Sequence, residues 1–166
     1  DMNEANISSE IKKKNKKNIK SCPKNDFVIY TSNDPKKMGI SHAFDNKVDE
    51  TSFYETGIEE KPSIIIEFKN SLNFFNYEFF SGKTNGRLPT KWILEYFDEN
   101  NQWVIFDVKN VNYWKEYSSK KFEARLKKKF SKFKITFESV NSDDKILRIY
   151  EIKINPNNKE NNEEQI

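Results

Sequence analysis

The chain has 166 residues, a length for one domain with tails. Hydrophobic residues make up 35% and charged residues 33%, so the chain is polar, and the aromatics, 14% with 14 Phe, have to supply much of the core. The formal net charge of +3 does not by itself imply nucleic acid, the single cysteine, Cys22, excludes an internal disulfide, and no apolar run reaches the roughly 18 residues of a membrane span.

Residues 1–25 lack aromatics up to Lys24 and contain the basic run Ile-Lys-Lys-Lys-Asn-Lys-Lys-Asn-Ile-Lys20. They read as a solvated linker or short helix, or as a docking segment for an acidic partner or anionic surface. No signal peptide is visible, and Asp1 looks like the start of a fragment. Strand candidates then recur between turn signals. Asp26-Phe-Val-Ile-Tyr30 is followed by Ser-Asn-Asp-Pro. Ser63-Ile-Ile-Ile-Glu-Phe68 is nearly continuous apolar, as a strand covered on both faces would be. Phe74-Phe-Asn-Tyr-Glu-Phe-Phe80 ends at Ser81-Gly82.

The stretch 86–103 is the clearest. Trp92, Leu94 and Tyr96 alternate with Ile93, Glu95 and Phe97, a period of two in aromatic and β-branched residues. Pro89 cannot donate to a ladder and belongs at the strand's start or on an edge. Asp98 to Gln102 forms a turn, and Trp103 opens the next strand, to Val108. Trp92 and Trp103 both read as core. Further strands are expected at 121–126, 133–140 and 147–154. No segment keeps a 3.6-residue period, so the fold class is all-β, a sandwich or barrel. With only 4 Gly, asparagines are expected at the left-handed turn positions. Residues 156–166 read as a disordered polar tail.

Little in the chain suggests catalysis. There is 1 His, His42, and 1 Cys, and no zinc-type spacing of ligands. Carboxylates abound without marking a pair. Gly82-Lys-Thr-Asn-Gly86 lacks the glycine frame and following helix of a phosphate loop. Arg125-Leu-Lys-Lys-Lys-Phe-Ser-Lys-Phe-Lys134 interleaves Phe with Lys like a single-strand nucleic-acid groove, but alternation places the lysines on a wet strand face and the rings in the core.

Three patterns resemble the discoidin family, which includes the coagulation factor V/VIII type C domains and the family 32 carbohydrate-binding modules. They are Ala43-Phe-Asp-Asn-Lys-Val-Asp-Glu-Thr-Ser-Phe53, the Arg87-x-Pro-x-x-Trp92 strand with its Asp-rich turn and following Trp103, and Arg148-Ile-Tyr-Glu-Ile-Lys-Ile154. Asn46 stands where the family has Gly, the loop is one residue longer, and Phe53 replaces a Trp. The resemblance implies a galactose-binding-like jelly-roll β-sandwich over 26–155, with a ligand site in the loops at one end. It implies a structural Ca2+ held by the side chains of Asp45, Thr51 and Glu151 and the carbonyl of Lys47, with Asp49 as a substitute for Thr51. Without an ion, Asp45 would cap a turn and Glu151 would pair with a lysine.

For a sugar, the loops offer Tyr54, Lys83, Asn85, Arg87, Tyr113 and Trp114, and His42 stands as either a site or a turn histidine. The stretch where galactose binders of the family carry an Arg reads Ser81-Gly82-Lys83. The reading is a non-catalytic, extracellular or cell-surface module of a larger protein that binds glycan, a cell-adhesion type of role, with no nucleic acid and no membrane span. The alternative is a protein-interaction or assembly domain that keeps the fold without a sugar site.

Overall fold

The computed structural model of the chain describes residues 26–35, 37–48, 51–83 and 86–156. The basic segment 1–25 and the tail from residue 157 lie outside them, as do Asp49 and Asn85. Eight strands follow in chain order: β1 (Phe27–Thr31), β2 (Tyr54–Glu55), β3 (Ser63–Phe80), β4 (Pro89–Phe97), β5 (Trp103–Asn110), β6 (Ser119–Val140), β7 (Arg148–Ile149) and β8 (Glu151–Pro156). The one helical element among the described residues is a 3-10 turn, Ile40–Ala43. No helix among the described residues is long and apolar enough to cross a membrane.

Two long strands, β3 and β6, serve both layers of the sandwich. The first part of β3 pairs with β1 (Phe68 opposite Phe27) and with the second part of β6 (Ile64 opposite Ile135). Its second part pairs with the first part of β6 (Tyr77 opposite Phe122) and with β8 (Tyr77 opposite Ile154). The first layer is completed by β4, beside β6, and by β5, beside β4. All these pairings are antiparallel, and the small β2–β7 ladder stands apart. Sequence reasoning separated 63–68 from 74–80, and 121–126 from 133–140. Each pair is instead one bent strand. The register shifts between Glu67 and Leu72 and again between Leu72 and Phe74. A bulge bends a strand without ending it, so the exposed polar Lys69, Asn70 and Ser71 mark a fold-over and not a turn.

The layers meet through rings. Phe75 packs on Phe133 at 5.0 Å, and Phe79 on Trp92 at 5.2 Å. Trp92 is fully buried, and its indole N–H donates to the Tyr77 hydroxyl at 2.9 Å. Each such ring removes roughly 150–250 Å² from water, about 4–6 kcal/mol before conformational entropy is set against it. The alternation in β4 holds: Trp92 and Leu94 are buried, and Pro89 opens the strand. Trp103 is not core. Its register partner is Phe97, which the alternation turns away from Trp92, so Trp103 is half-buried on the outer face with the Lys134 ammonium 4.3 Å from its ring centre. The turn between them is held by Asp98, whose carboxylate accepts from the N–H groups of Asn100 and Gln102 at 2.9 and 2.8 Å.

The expected asparagines at left-handed positions are Asn46 and Asn101, with φ of 62° and 59°. Met38, Lys61, Arg87, Tyr117 and Lys145 share that conformation, and no described glycine does. The register also defines two ends. One gathers the described residues within 32–62, 81–88, 111–118 and 141–147, which link strand ends of one layer to the rest. The other carries the bends of β3 and β6, the β4–β5 turn, the entry at Asp26 and the exit at Pro156.

Candidate functional site

At the loop end, residues 81–83 and 115–118 are joined by a buried serine. The Ser81 hydroxyl donates to the Lys115 carbonyl at 2.5 Å and accepts from the Ser118 N–H at 2.9 Å, while its own N–H donates to the Ser118 carbonyl at 2.9 Å. The Tyr117 N–H donates to the Gly82 carbonyl at 3.0 Å. Gly82 is required by close approach, since a Cβ there would lie 2.3 Å from the Tyr150 ring. The result is a cross-linked platform that brings Lys83, which is exposed, beside Tyr117, which is 56% exposed. Tyr113, on the same loop, is 67% exposed.

Below this platform lies an ion network around Glu55. One carboxylate oxygen accepts from Arg87 at 2.8 Å and from Arg148 at 2.7 Å. Arg87 also holds Asp144 through two of its nitrogens, at 3.0 and 2.7 Å. The Ser142 hydroxyl, the Ile146 N–H and Arg87 together lower the Asp144 pKa. Arg87 therefore braces the loops and is not a fork poised for ligand. Its left-handed φ of 67° belongs to the same brace. Arg148 lies over the Phe53 ring at 4.3 Å and donates to the Tyr150 hydroxyl at 3.2 Å. Sequence reasoning missed Arg148 and Tyr117 as residues of this end. The signal available for Tyr117 was its place on the same connection between β5 and β6 as Tyr113 and Trp114.

Two expected ligand residues are core. Trp114 is 1% exposed, and its indole N–H donates to the Pro89 carbonyl at 2.8 Å. Tyr54 is fully buried in the β2–β7 ladder, its hydroxyl donating to the Asn33 carbonyl at 2.6 Å, and burial raises its pKa. Neither presents a ring face to a sugar. Both have an apolar body and a donor that reaches a backbone acceptor, the way such rings are satisfied inside a protein. His42 is half-buried in the 3-10 turn, its Nδ1 3.2 Å from the Ser52 hydroxyl.

The expected ion ligands fall into two groups. Asp45 and Glu151 come together. Glu151 is 2% exposed; Oε2 accepts from the Asn46 N–H at 3.1 Å, and Oε1 is buried without a partner among the described residues. Burial, and then the charge of Asp45, pushes its pKa up to about 8. Among the described residues no ammonium forms an ion pair with it, and the nearby Lys153 charge lowers its pKa less than burial raises it. Asp45 accepts from the Lys47 N–H at 2.9 Å and from the Ser52 hydroxyl. Thus Lys47 meets Asp45 through its N–H, and the hydroxyl on Asp45 is that of Ser52, while Thr51 is exposed. Asn46, which stands where the family pattern has Gly, takes a left-handed conformation that Asn tolerates. Among the described residues no group of three or more His, Cys, Asp or Glu side chains could hold a metal, so any ion here would also need hydroxyl, carbonyl or water oxygens. An orphaned buried carboxylate oxygen facing a second carboxylate suits a hard cation in that respect.

No protein-family model matches the chain, and no curated protein matches it. Solved structures do. The module CpGH89CBM32-5 from Clostridium perfringens, in complex with GalNAc-β-1,3-galactose, superposes with a TM-score of 0.62 at 15% identity, covering 78% of this chain and 94% of that one. The family 32 carbohydrate-binding module from C. perfringens NanJ, in complex with galactose, gives 0.60 at 11% identity, covering 78% and 93%. The lectin domain of lectinolysin, complexed with Lewis B antigen, gives 0.56 at 16% identity, covering 76% and 89%. The fold is therefore the discoidin-like β-sandwich of family 32 carbohydrate-binding modules, as the three sequence patterns implied.

Proposed function

We propose that the chain is a non-catalytic carbohydrate-binding module, a secreted or cell-surface piece of a larger protein, whose loop end takes a glycan. The observation that carries this reading is the cross-linked platform of residues 81–83 and 115–118, whose backbone bond from Tyr117 to Gly82 joins the segments bearing the exposed Tyr117 and Lys83, with Tyr113 exposed on the same loop. A pyranose ring needs an aromatic face and polar groups held rigidly enough to meet hydroxyls at little entropic cost. The sugar-bound structures sharing this fold support the same ligand class. Tyr113 and Tyr117 take the stacking role expected of Trp114, with Lys83 and Asn85 as polar partners and His42 at the margin. Asp45 and Glu151 would hold a structural Ca2+ with neighbouring oxygens, tying the 45–53 loop to β8.

The test is titration of the purified chain with galactose, N-acetylgalactosamine and N-acetylglucosamine, followed by amide shifts. Saturable shifts confined to residues 81–83 and 113–118 are expected. Tyr117→Ala should weaken binding by about 1–3 kcal/mol, on the scale measured for aromatic stacking platforms, with the melting temperature unchanged. If no sugar shifts any amide at millimolar concentration, the protein-interaction reading takes over. The burial of Trp114 and Tyr54 favours that second reading, because it leaves the end with fewer rings than the sequence offered.

A further inference from the structure

The end opposite the loops has a feature that the glycan reading does not use. Phe74 pairs with Arg125, and Leu72 with Phe130, so the single residue Asn73 of β3 faces residues 126–129 of β6. The extra residues project as a bulge, and three of them are Lys127, Lys128 and Lys129, all exposed. Three adjacent ammonium groups repel one another, and among the described residues no carboxylate pairs with them. Lys69 is also exposed at this end, its N–H donating to the Asp26 carbonyl at 2.7 Å.

We infer that the β6 bulge, through Lys127, Lys128 and Lys129, binds a linear anionic polysaccharide, one bearing sulfate or carboxylate groups along its length. Charge alone would suit other polyanions, and the surroundings select among them. Single-stranded nucleic acid needs exposed rings for its bases to stack on. Here Phe74 is buried beneath the Arg125 guanidinium, 4.3 Å from its ring centre, and Phe130 stacks on Tyr96 at 4.0 Å. An anionic membrane is gripped by basic groups with apolar side chains alongside to enter the interface. The exposed large hydrophobics among the described residues are Ile58, Ile105, Val108, Tyr113 and Tyr117, none of them in the bulge. Lys127, Lys128 and Lys129 are consecutive and all exposed, so the bulge offers three neighbouring charges to one polymer. The lysines act as point charges on flexible stems, suited to a polymer whose anionic groups vary in position. This inference does not rest on the loop-end reading, whose probe is a neutral sugar.

The experiment uses the full 166-residue chain and a size-defined heparin fragment. Binding is measured by calorimetry or anisotropy across a salt series, beside neutral dextran, phosphatidylserine-containing vesicles and a single-stranded oligonucleotide. The variant is Lys127→Gln, Lys128→Gln, Lys129→Gln. The control is Lys37→Gln, Lys91→Gln, Lys145→Gln, which removes the same charge from exposed sites elsewhere. All six side chains are exposed, so both variants should melt with the wild type. At about 0.15 M salt the bulge variant should bind the fragment at least tenfold more weakly. Its plot of log affinity against log salt should be shallower by about two to three, as expected when three lysines no longer release counterions. The control should stay within about twofold of wild type. Equal losses in the two variants overturn the inference, since net charge would then explain binding. So does tighter binding of vesicles or oligonucleotide than of heparin at the same salt, which would reassign the bulge to a membrane or to nucleic acid.

Discussion

Glu151 is the side chain whose perturbation discriminates most. Its carboxyl is buried, with one oxygen on the Asn46 N–H and the other without a partner among the described residues. Desolvation first, and the neighbouring Asp45 after it, raises its pKa from 4.5 to about 8. An acid with a raised native pKa keeps a proton that the unfolded chain has already released. Between those two pH values the native state binds more protons, so stability falls as pH climbs from about 4.5 to about 8 and is level above. At about 1.4 kcal/mol per unit the full shift corresponds to at most ~5 kcal/mol, and relaxation of the 45–53 loop should bring this to a few kcal/mol. Thermal melts of chelator-treated protein from pH 5 to pH 9 should therefore show a declining melting temperature. The proposed ion would invert the trend, because calcium would take the deprotonated pair and stabilise only the native state. Millimolar calcium should raise the melting temperature at pH 8 and do little at pH 5. Glu151→Gln should flatten the pH profile in chelator and abolish the calcium response together. A flat wild-type profile that ignores calcium at pH 8 would refute both the proton and the ion accounts of this carboxylate.

Other substitutions check the loop end. Gly82→Ala should destabilise the fold by about 1–3 kcal/mol, the usual cost of overpacking, and lower the urea midpoint, because the new methyl meets the Tyr150 ring. Glu55→Gln removes the charge shared by Arg87 and Arg148; it should lower stability by about 1–3 kcal/mol in urea melts, most at low salt. Trp114→Phe loses the bond to the Pro89 carbonyl and should lose stability by about 1–2 kcal/mol, yet leave sugar-induced amide shifts at Tyr117 in place. A loss of those shifts without a loss of stability would return Trp114 to the binding site.

Within β4, the sequence by itself determined which side chains face inward. A strand has a period of two, so Trp92 and Leu94 had to share a face, and Pro89, lacking an N–H, had to stand at its start. The ordered motifs at 43–53, 87–103 and 148–154 were enough to reach the sandwich. The pattern did not show that 63–68 and 74–80 are one strand, because a bend and a turn both put polar residues at the surface. Nor could it show Trp103 on the outer face, which depends on its register with Phe97. The candidate site was legible as a set of loops, and Lys83 and Tyr113 were found there. Which rings of that set are open was decided in three dimensions: Trp114 turns in to Pro89, 25 residues away in sequence, and Tyr54 to Asn33, 21 away. The brace between Arg87 and Asp144 spans 57 residues, and the contact from Asn46 to Glu151 spans 105. Local periodicity sets the direction of a side chain relative to its own strand, but long-range pairing sets what lies in that direction, and burial and charge follow from the second.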